Sequence, residues 1–121
     1  MTPERRTLLG AVLVALGAGG ASHFYGRWQE SQLGRRMALA AGAGDIRMLT
    51  SQTCPYCALA RAWFKRNDVT FSECLIETDA ACAAEYRAHG GPGTPLLIVR
   101  GQPQLGFDPQ RVVERLATAR S

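Results

Sequence analysis

The sequence has no segment in which Lys or Arg alternates with aromatic residues, and its arginines are spread along the chain rather than gathered in one stripe. A nucleic-acid groove needs both features, so the formal charge of +4 points instead to weak, salt-screened attraction for anionic lipid headgroups or acidic proteins. The chain also lacks length. Its 121 residues allow one small domain, and part of them is an apolar N-terminal stretch that a soluble core has no place for. Histidine is scarce: His23 lies in the apolar stretch and His89 before a glycine-rich loop, neither spaced with a carboxylate or cysteine for triad chemistry. No internal repeat or low-complexity tract interrupts the sequence.

Charge is missing from one long run. Between Thr7 and Gly26 there is no Asp, Glu, Lys or Arg, and Leu8 to Leu16 is nearly all aliphatic, preceded by Arg5 and Arg6. About 20 such residues just span a bilayer. Tyr25 and Trp28 suit an interfacial aromatic belt, which favours an uncleaved anchor. Gly19, Gly20, Ser22 and His23 weaken the far half, so a cleaved signal peptide is the alternative. A helix buried in the globular domain is disfavoured by the glycine content. Arg5-Arg6-Thr7-Leu8-Leu9 resembles a twin-arginine export signal, although Arg27, Arg35 and Arg36 beyond the apolar run offset Arg5 and Arg6 as an orientation signal. The expected organisation is an anchor or signal over 1–28, a tether with partial helicity over 29–44, and a globular domain over 45–121.

Four cysteines in so short a chain fit an oxidising compartment, and hence a domain on the periplasmic side of an inner membrane. Cys54 and Cys57 form a C-x-x-C, whereas Cys74 and Cys82 stand apart. A zinc site would draw on all four thiolates, but the second pair lacks the tight spacing of a zinc knuckle, so no metal ligand set is expected.

The domain reads as βαβαββα. Ile46 and Met48 open a buried strand that ends at Thr50-Ser51-Gln52-Thr53. Pro55 suits a first helical position, and Leu59, Ala60, Trp63 and Phe64 recur at helical spacing up to Asn67-Asp68. Val69–Ile76 is expected as a strand, Asp79–His89 as a helix, and Leu96–Val99 as a third strand. A turn around Gly101-Gln102-Pro103 leads to Gln104–Phe107 as a hairpin partner, and Asp108-Pro109 opens a last helix with Val112, Val113 and Leu116 on one face.

A cysteine at a helix start faces unpaired backbone N–H groups and the positive end of the helix dipole, which stabilise its thiolate. Cys54 is therefore the expected nucleophile, and Cys57, one turn deeper, the resolving thiol. Pro95, at the entry of the third strand, is expected to be cis and to leave the Thr94 backbone open for pairing with an extended substrate. Cys74 and Cys82 flank a connection short enough to fold back, so a local disulfide is the leading reading. Two buried free thiols or a second redox dithiol are its alternatives.

Cys54-Pro55-Tyr56-Cys57, Thr94-Pro95 and Gly106-Phe107-Asp108-Pro109 together make the chain from Ile46 to about Ala119 resemble the glutaredoxin family. The resemblance implies an α/β, thioredoxin-like fold with a central mixed four-stranded sheet flanked by helices, here preceded by an N-terminal hydrophobic helix. It also implies dithiol activity toward protein disulfides, with glutathione as a co-substrate and no bound cofactor. Substrate or glutathione contacts are implied for Tyr56, Thr94, Pro95, Phe107 and Asp108. The chain departs from the family in having Ser51 and Gln52 where a basic residue usually precedes the first cysteine, and Phe107 where a small residue usually holds the glutamyl end of glutathione. Gly106-Phe107-Asp108-Pro109 is closer to glutaredoxin-like electron donors that interact with thioredoxin reductase, and Gly93-Thr94-Pro95 resembles the cis-proline corner of periplasmic disulfide isomerases. Protein disulfides are thus the expected substrates, with a glutathione-dependent glutaredoxin and a thioredoxin-like copper chaperone as alternatives.

Overall fold

The computed structural model describes residues 3–118. The chain divides into two compact units, Met1–Gln32 and Leu33–Ser121. Helix α1 (Pro3–Ala40) supplies all of the described part of the first unit and enters the second. In the first unit Leu8, Leu9, Leu13, Val14 and Leu16 are all exposed, and the Tyr25 and Trp28 rings stack 6.1 Å apart. The helix is long and apolar enough to cross a membrane, a criterion that a signal sequence also meets.

The second unit is a four-stranded mixed sheet in the order β2-β1-β3-β4: β1 (Ile46–Thr50), β2 (Ser72–Leu75), β3 (Leu96–Val99) and β4 (Gln102–Leu105). β1 runs parallel to β2 and antiparallel to β3, and β3 runs antiparallel to β4. The helices are α2 (Pro55–Arg66), α3 (Ala80–Ala88) and α4 (Pro109–Thr118), so the order from β1 onward is βαβαββα, as the sequence predicts.

β3 is buried along its whole length because both faces of the sheet are covered. Leu97 and Val99 point into one cluster with Ile46, Met48, Trp63, Phe64, Val112 and Leu116, while Leu96 and Ile98 point into a second with Leu49 and Cys82. Phe64, fully buried, packs against Phe71 and Phe107 with ring centroids 4.8 and 4.9 Å apart.

Three local expectations change. Residues 29–40, read as a tether, are helical throughout, and Met37 is fully buried in the first cluster. Gly34 makes that packing feasible, because a β-carbon there would lie 2.0 Å from Asn67 Oδ1. The second strand is shorter than Val69–Ile76, since Val69 closes the end of α2 through its N–H to the Phe64 carbonyl and then buries its side chain. The hairpin turn is Arg100-Gly101, both at positive φ (47° and 83°), the pairing that a two-residue turn between right-twisted strands requires. β4 therefore starts at Gln102, and Pro103 is tolerated because this strand is an edge.

Arg100 ties the layers together. Its guanidinium donates to the Leu116 carbonyl (2.5 Å), the Ala40 carbonyl (3.3 Å) and the Asp45 carboxylate (3.3 Å), placing a cation at the carbonyl ends of α4 and α1. Arg61 of α2 forms a two-armed ion pair with Glu73 of β2, one arm being 2.8 Å, and Arg47 of β1 pairs with Glu85 of α3 at 2.6 Å.

Cys74 and Cys82 are joined by a disulfide, and both contact the second cluster. With a sequence separation of only 8 the loop is short, and by chain entropy the bridge contributes roughly 2–3 kcal/mol. A Cys74→Ala/Cys82→Ala variant should lose about that much in urea unfolding, with a slightly larger denaturant slope because the freed loop exposes more surface in the unfolded chain. Hydrogen bonding to Arg61 holds the Glu73 carboxyl below its ordinary value. Its contribution is thus complete above the unfolded-state value of about 4.3 and disappears as pH falls through the lower folded-state value. Glu73→Gln should therefore flatten the acid limb of the stability profile below about pH 4.5, by no more than about 1 kcal/mol for so exposed a pair.

Candidate functional site

The strand register brings the chemically distinctive residues to one end of the sheet. Thr50 is paired with Leu75, Leu49 with Leu96, and Leu96 with Leu105. The segments that follow β1, β2 and β4 and the segment that precedes β3 must therefore all emerge at this end. They are the loop to Cys54, the connection holding Glu77, the stretch Gly106-Phe107-Asp108, and Thr94-Pro95.

Cys54 is the N-cap of α2, in extended conformation (φ −101°, ψ 104°), with Pro55 as the first helical residue. Its Sγ accepts the Cys57 backbone N–H at 3.1 Å, one of the helix-start donors without an intrahelical partner. Cys54 and Cys57 are disulfide-bonded, with their Cα atoms 5.3 Å apart. Cys54 is half-buried, whereas Cys57 is fully buried. Attack from outside can therefore reach the first sulfur far more readily than the second.

The Thr94–Pro95 peptide bond is cis, and Pro95 is buried. The Pro95 carbonyl accepts the Gly106 N–H at 2.9 Å, which joins the start of β3 to the end of β4. Gly106, at φ 78°, turns the chain out of β4 toward α4.

A groove of about 470 Å³ opens beside these elements. Tyr56, Leu59, Trp63, Thr94, Pro95 and Phe107 line it, with Leu105 and Arg66 also on its walls. It brings together four of the residues for which contacts were expected: Tyr56, Thr94, Pro95 and Phe107. Phe107 is also partly core, its ring 5.3 Å from that of Trp63. Asp108 is not among the lining residues. Its carboxylate accepts the Gln110 N–H at 3.1 Å and its carbonyl the Val112 N–H, so it acts at the start of α4. Cys74 and Cys82 lie apart from the groove, in the second cluster.

Sequence reasoning missed two features. Leu59 and Leu105 are 67% and 52% exposed, so the groove is apolar at its rim as well as its floor. Glu77 accepts the Ser51 hydroxyl and, at 3.3 Å, the Gln52 N–H, so a carboxylate stands against the loop before Cys54. These bonds, that from Ser51 foremost, hold the Glu77 carboxyl below its ordinary value. Helical periodicity marks Leu59, whereas no local pattern marks Glu77. Among the described residues, no three His, Cys, Asp or Glu side chains converge to hold a metal ion.

The family model described as Glutaredoxin matches residues 46–103. No curated protein matches the chain. Among solved structures, the thioredoxin-like protein BC3987 aligns over 58% of this chain and 97% of its own, at 24% identity and a TM-score of 0.51. A threonine-to-alanine variant of that protein aligns over 61% and 96%, at 23% identity and 0.54. A mutated buckwheat glutaredoxin aligns over 76% and 94%, at 13% identity and 0.50. At these identities the structures establish the thioredoxin-like fold, and the family model adds a glutaredoxin match confined to residues 46–103. That matched segment holds the Cys54–Cys57 pair at its C-x-x-C position, an arrangement that fits a thiol–disulfide oxidoreductase.

Proposed function

We propose that the protein is a membrane-tethered dithiol oxidoreductase that exchanges disulfides with cysteines of other proteins on the periplasmic side of an inner membrane. The observation that carries this reading is the Cys54–Cys57 pair at the start of α2, with the outer sulfur receiving a backbone N–H and the inner one buried.

In the reducing direction the Cys54 thiolate attacks one sulfur of a client disulfide. A Cys54–client disulfide forms and the other client sulfur leaves as a thiolate. Cys57, after losing its proton, attacks the Cys54 sulfur, releasing the second client thiolate and closing Cys54–Cys57. Two electrons pass to the client, and the dithiol is regenerated by an external thiol reductant. In the oxidising direction the same steps run backward, beginning with attack of a client thiolate on the oxidised pair. The Cys57 N–H and the positive end of the α2 dipole stabilise negative charge on Cys54 in both directions.

The apolar groove supports proteins over glutathione as partners. Phe107 fills the space where the family's usual small residue would receive the glutamyl end, and Leu59 and Leu105 widen the apolar surface. Tyr56, Thr94 and Pro95 are assigned to substrate contact because they line this groove. A glutathione-dependent reaction is the second reading and rests on the family match. Among the described residues a copper chaperone would have the Cys54 and Cys57 thiolates alone. The apolar run of α1 with its Tyr25–Trp28 pair supports the membrane tether, and the Cys74–Cys82 bridge supports an oxidising compartment.

Cys54→Ser should reduce turnover of a protein disulfide to background, while Cys57→Ser should accumulate a mixed disulfide with the client, visible by mass under non-reducing conditions. Turnover by Cys54→Ser equal to that of the parent would refute the assignment. In the reduced parent at pH 7, iodoacetamide should modify Cys54 more than about tenfold faster than Cys57, as peptide mass mapping would show.

A further inference from the structure

Glu77 lies on the connection between β2 and α3, and this connection is tied down at both ends. The Ile76 N–H donates to the Thr50 carbonyl at 3.0 Å. Asp79 caps α3 by accepting the Cys82 N–H at 3.0 Å, and the Cys74–Cys82 bridge closes the loop. Cys82 is 4% exposed, so the closing bond is anchored in the second apolar cluster.

From this fixed loop the Glu77 carboxylate reaches the turn that presents Cys54. It receives the Ser51 hydroxyl and the Gln52 N–H. Ser51 then passes the constraint on: its hydroxyl oxygen accepts the Thr53 N–H at 3.4 Å and its carbonyl accepts the Cys54 N–H at 3.3 Å. Every residue from Ser51 to Cys54 is thus bonded to Glu77 directly or through Ser51. The carboxylate also sets a negative charge on the side where reduction creates the Cys54 thiolate.

We infer that Glu77 is a positioning residue for Cys54, and that the Cys74–Cys82 bridge, by closing the loop that bears Glu77, fixes where that carboxylate stands. The inference rests on the redox reading of Cys54 and Cys57 given above. It assigns the second disulfide a role at the first without any exchange of electrons between them. Two effects follow from the geometry. Hydrogen bonding holds the turn so that Cys54 stays at the helix start. The charge disfavours the reduced pair, because a carboxylate bonded to the turn before Cys54 repels a thiolate formed at the end of that turn.

The test uses the full chain as parent, Glu77→Ala, Glu77→Gln, Cys74→Ala/Cys82→Ala and the triple variant. Each is equilibrated with glutathione buffers and assayed with insulin as the disulfide probe. Glu77→Ala should shift the equilibrium constant of Cys54–Cys57 about two- to fivefold toward the dithiol, the range of an exposed charge contact, and lower kcat/KM. Glu77→Gln keeps an oxygen acceptor for Ser51 but no charge, so it should restore kcat/KM while retaining the shifted equilibrium. Removing the second bridge should shift the equilibrium in the same direction, and adding Glu77→Ala to that variant should change little more. An active parent whose Glu77→Ala variant keeps the same equilibrium constant and kcat/KM, whatever its thermal stability, overturns the inference alone. Fully additive effects of Glu77→Ala and bridge removal overturn the link to the second disulfide. A parent with no titrating dithiol overturns the redox reading and this inference with it.

Discussion

The register of β1 between its two neighbours is the constraint on which the site depends. Pairing Thr50 with Leu75 on one side and Leu49 with Leu96 on the other sends the chain out of β1, β2 and β4, and into β3, at one end of the sheet. A slip of one residue would turn Ile46 and Met48 away from the first cluster and Leu49 away from the second. Because both faces are covered, that slip would drive Arg47 into the first cluster, away from the Glu85 carboxylate with which it pairs. The hydrophobic pattern of β1 and β3 therefore holds the functional loops together, and two loop residues, Pro95 and Phe107, are in turn buried or packed against the core.

At that end the chemistry follows from backbone geometry more than from charged side chains. Among the described residues no cation is bonded to Cys54; the Cys57 N–H and the dipole of α2 meet its sulfur instead. A charged group is bonded to the preceding turn, the Glu77 carboxylate, and its charge opposes the helix dipole rather than assisting it. The reactivity of the pair thus reflects a balance between a fixed dipole and a fixed charge. Both terms are set by loops fastened to the sheet.

The groove beside the pair is shaped by the same aromatic residues that stabilise the domain. Trp63 and Phe107 line it, and the ring of each also packs edge-on against Phe64. Core packing and groove wall are therefore continuous here. A change that enlarges the groove also opens the first cluster, so the shape of the groove cannot be altered far without loss of stability. Arg100, at the far end of the sheet, holds the carbonyl ends of α1 and α4 and keeps that cluster closed from the opposite side.

Much of this was legible in the sequence because it is encoded locally. Cys54-Pro55 marks a helix start by the chemistry of proline, the run Leu96–Val99 marks a strand covered on both faces, and the uncharged stretch from Thr7 to Gly26 marks an apolar helix. The order of elements follows from such signals, and so does the placement of Tyr56, Thr94 and Pro95 near the cysteine pair, through resemblance. Contacts between residues distant in sequence were not legible. Met37 gives no sign in its Ala- and Gly-rich surroundings that it enters the core, and Arg100-Gly101 becomes the hairpin turn only once β3 and β4 are in register. Glu77 meets Ser51 only because β1 and β2 lie side by side. The sequence by itself determined the reactive pair and the elements that carry it, since both depend on short-range periodicity and backbone preference. Tertiary structure alone decided which groups stand beside that pair, because strand pairing sets those distances and no local pattern records them.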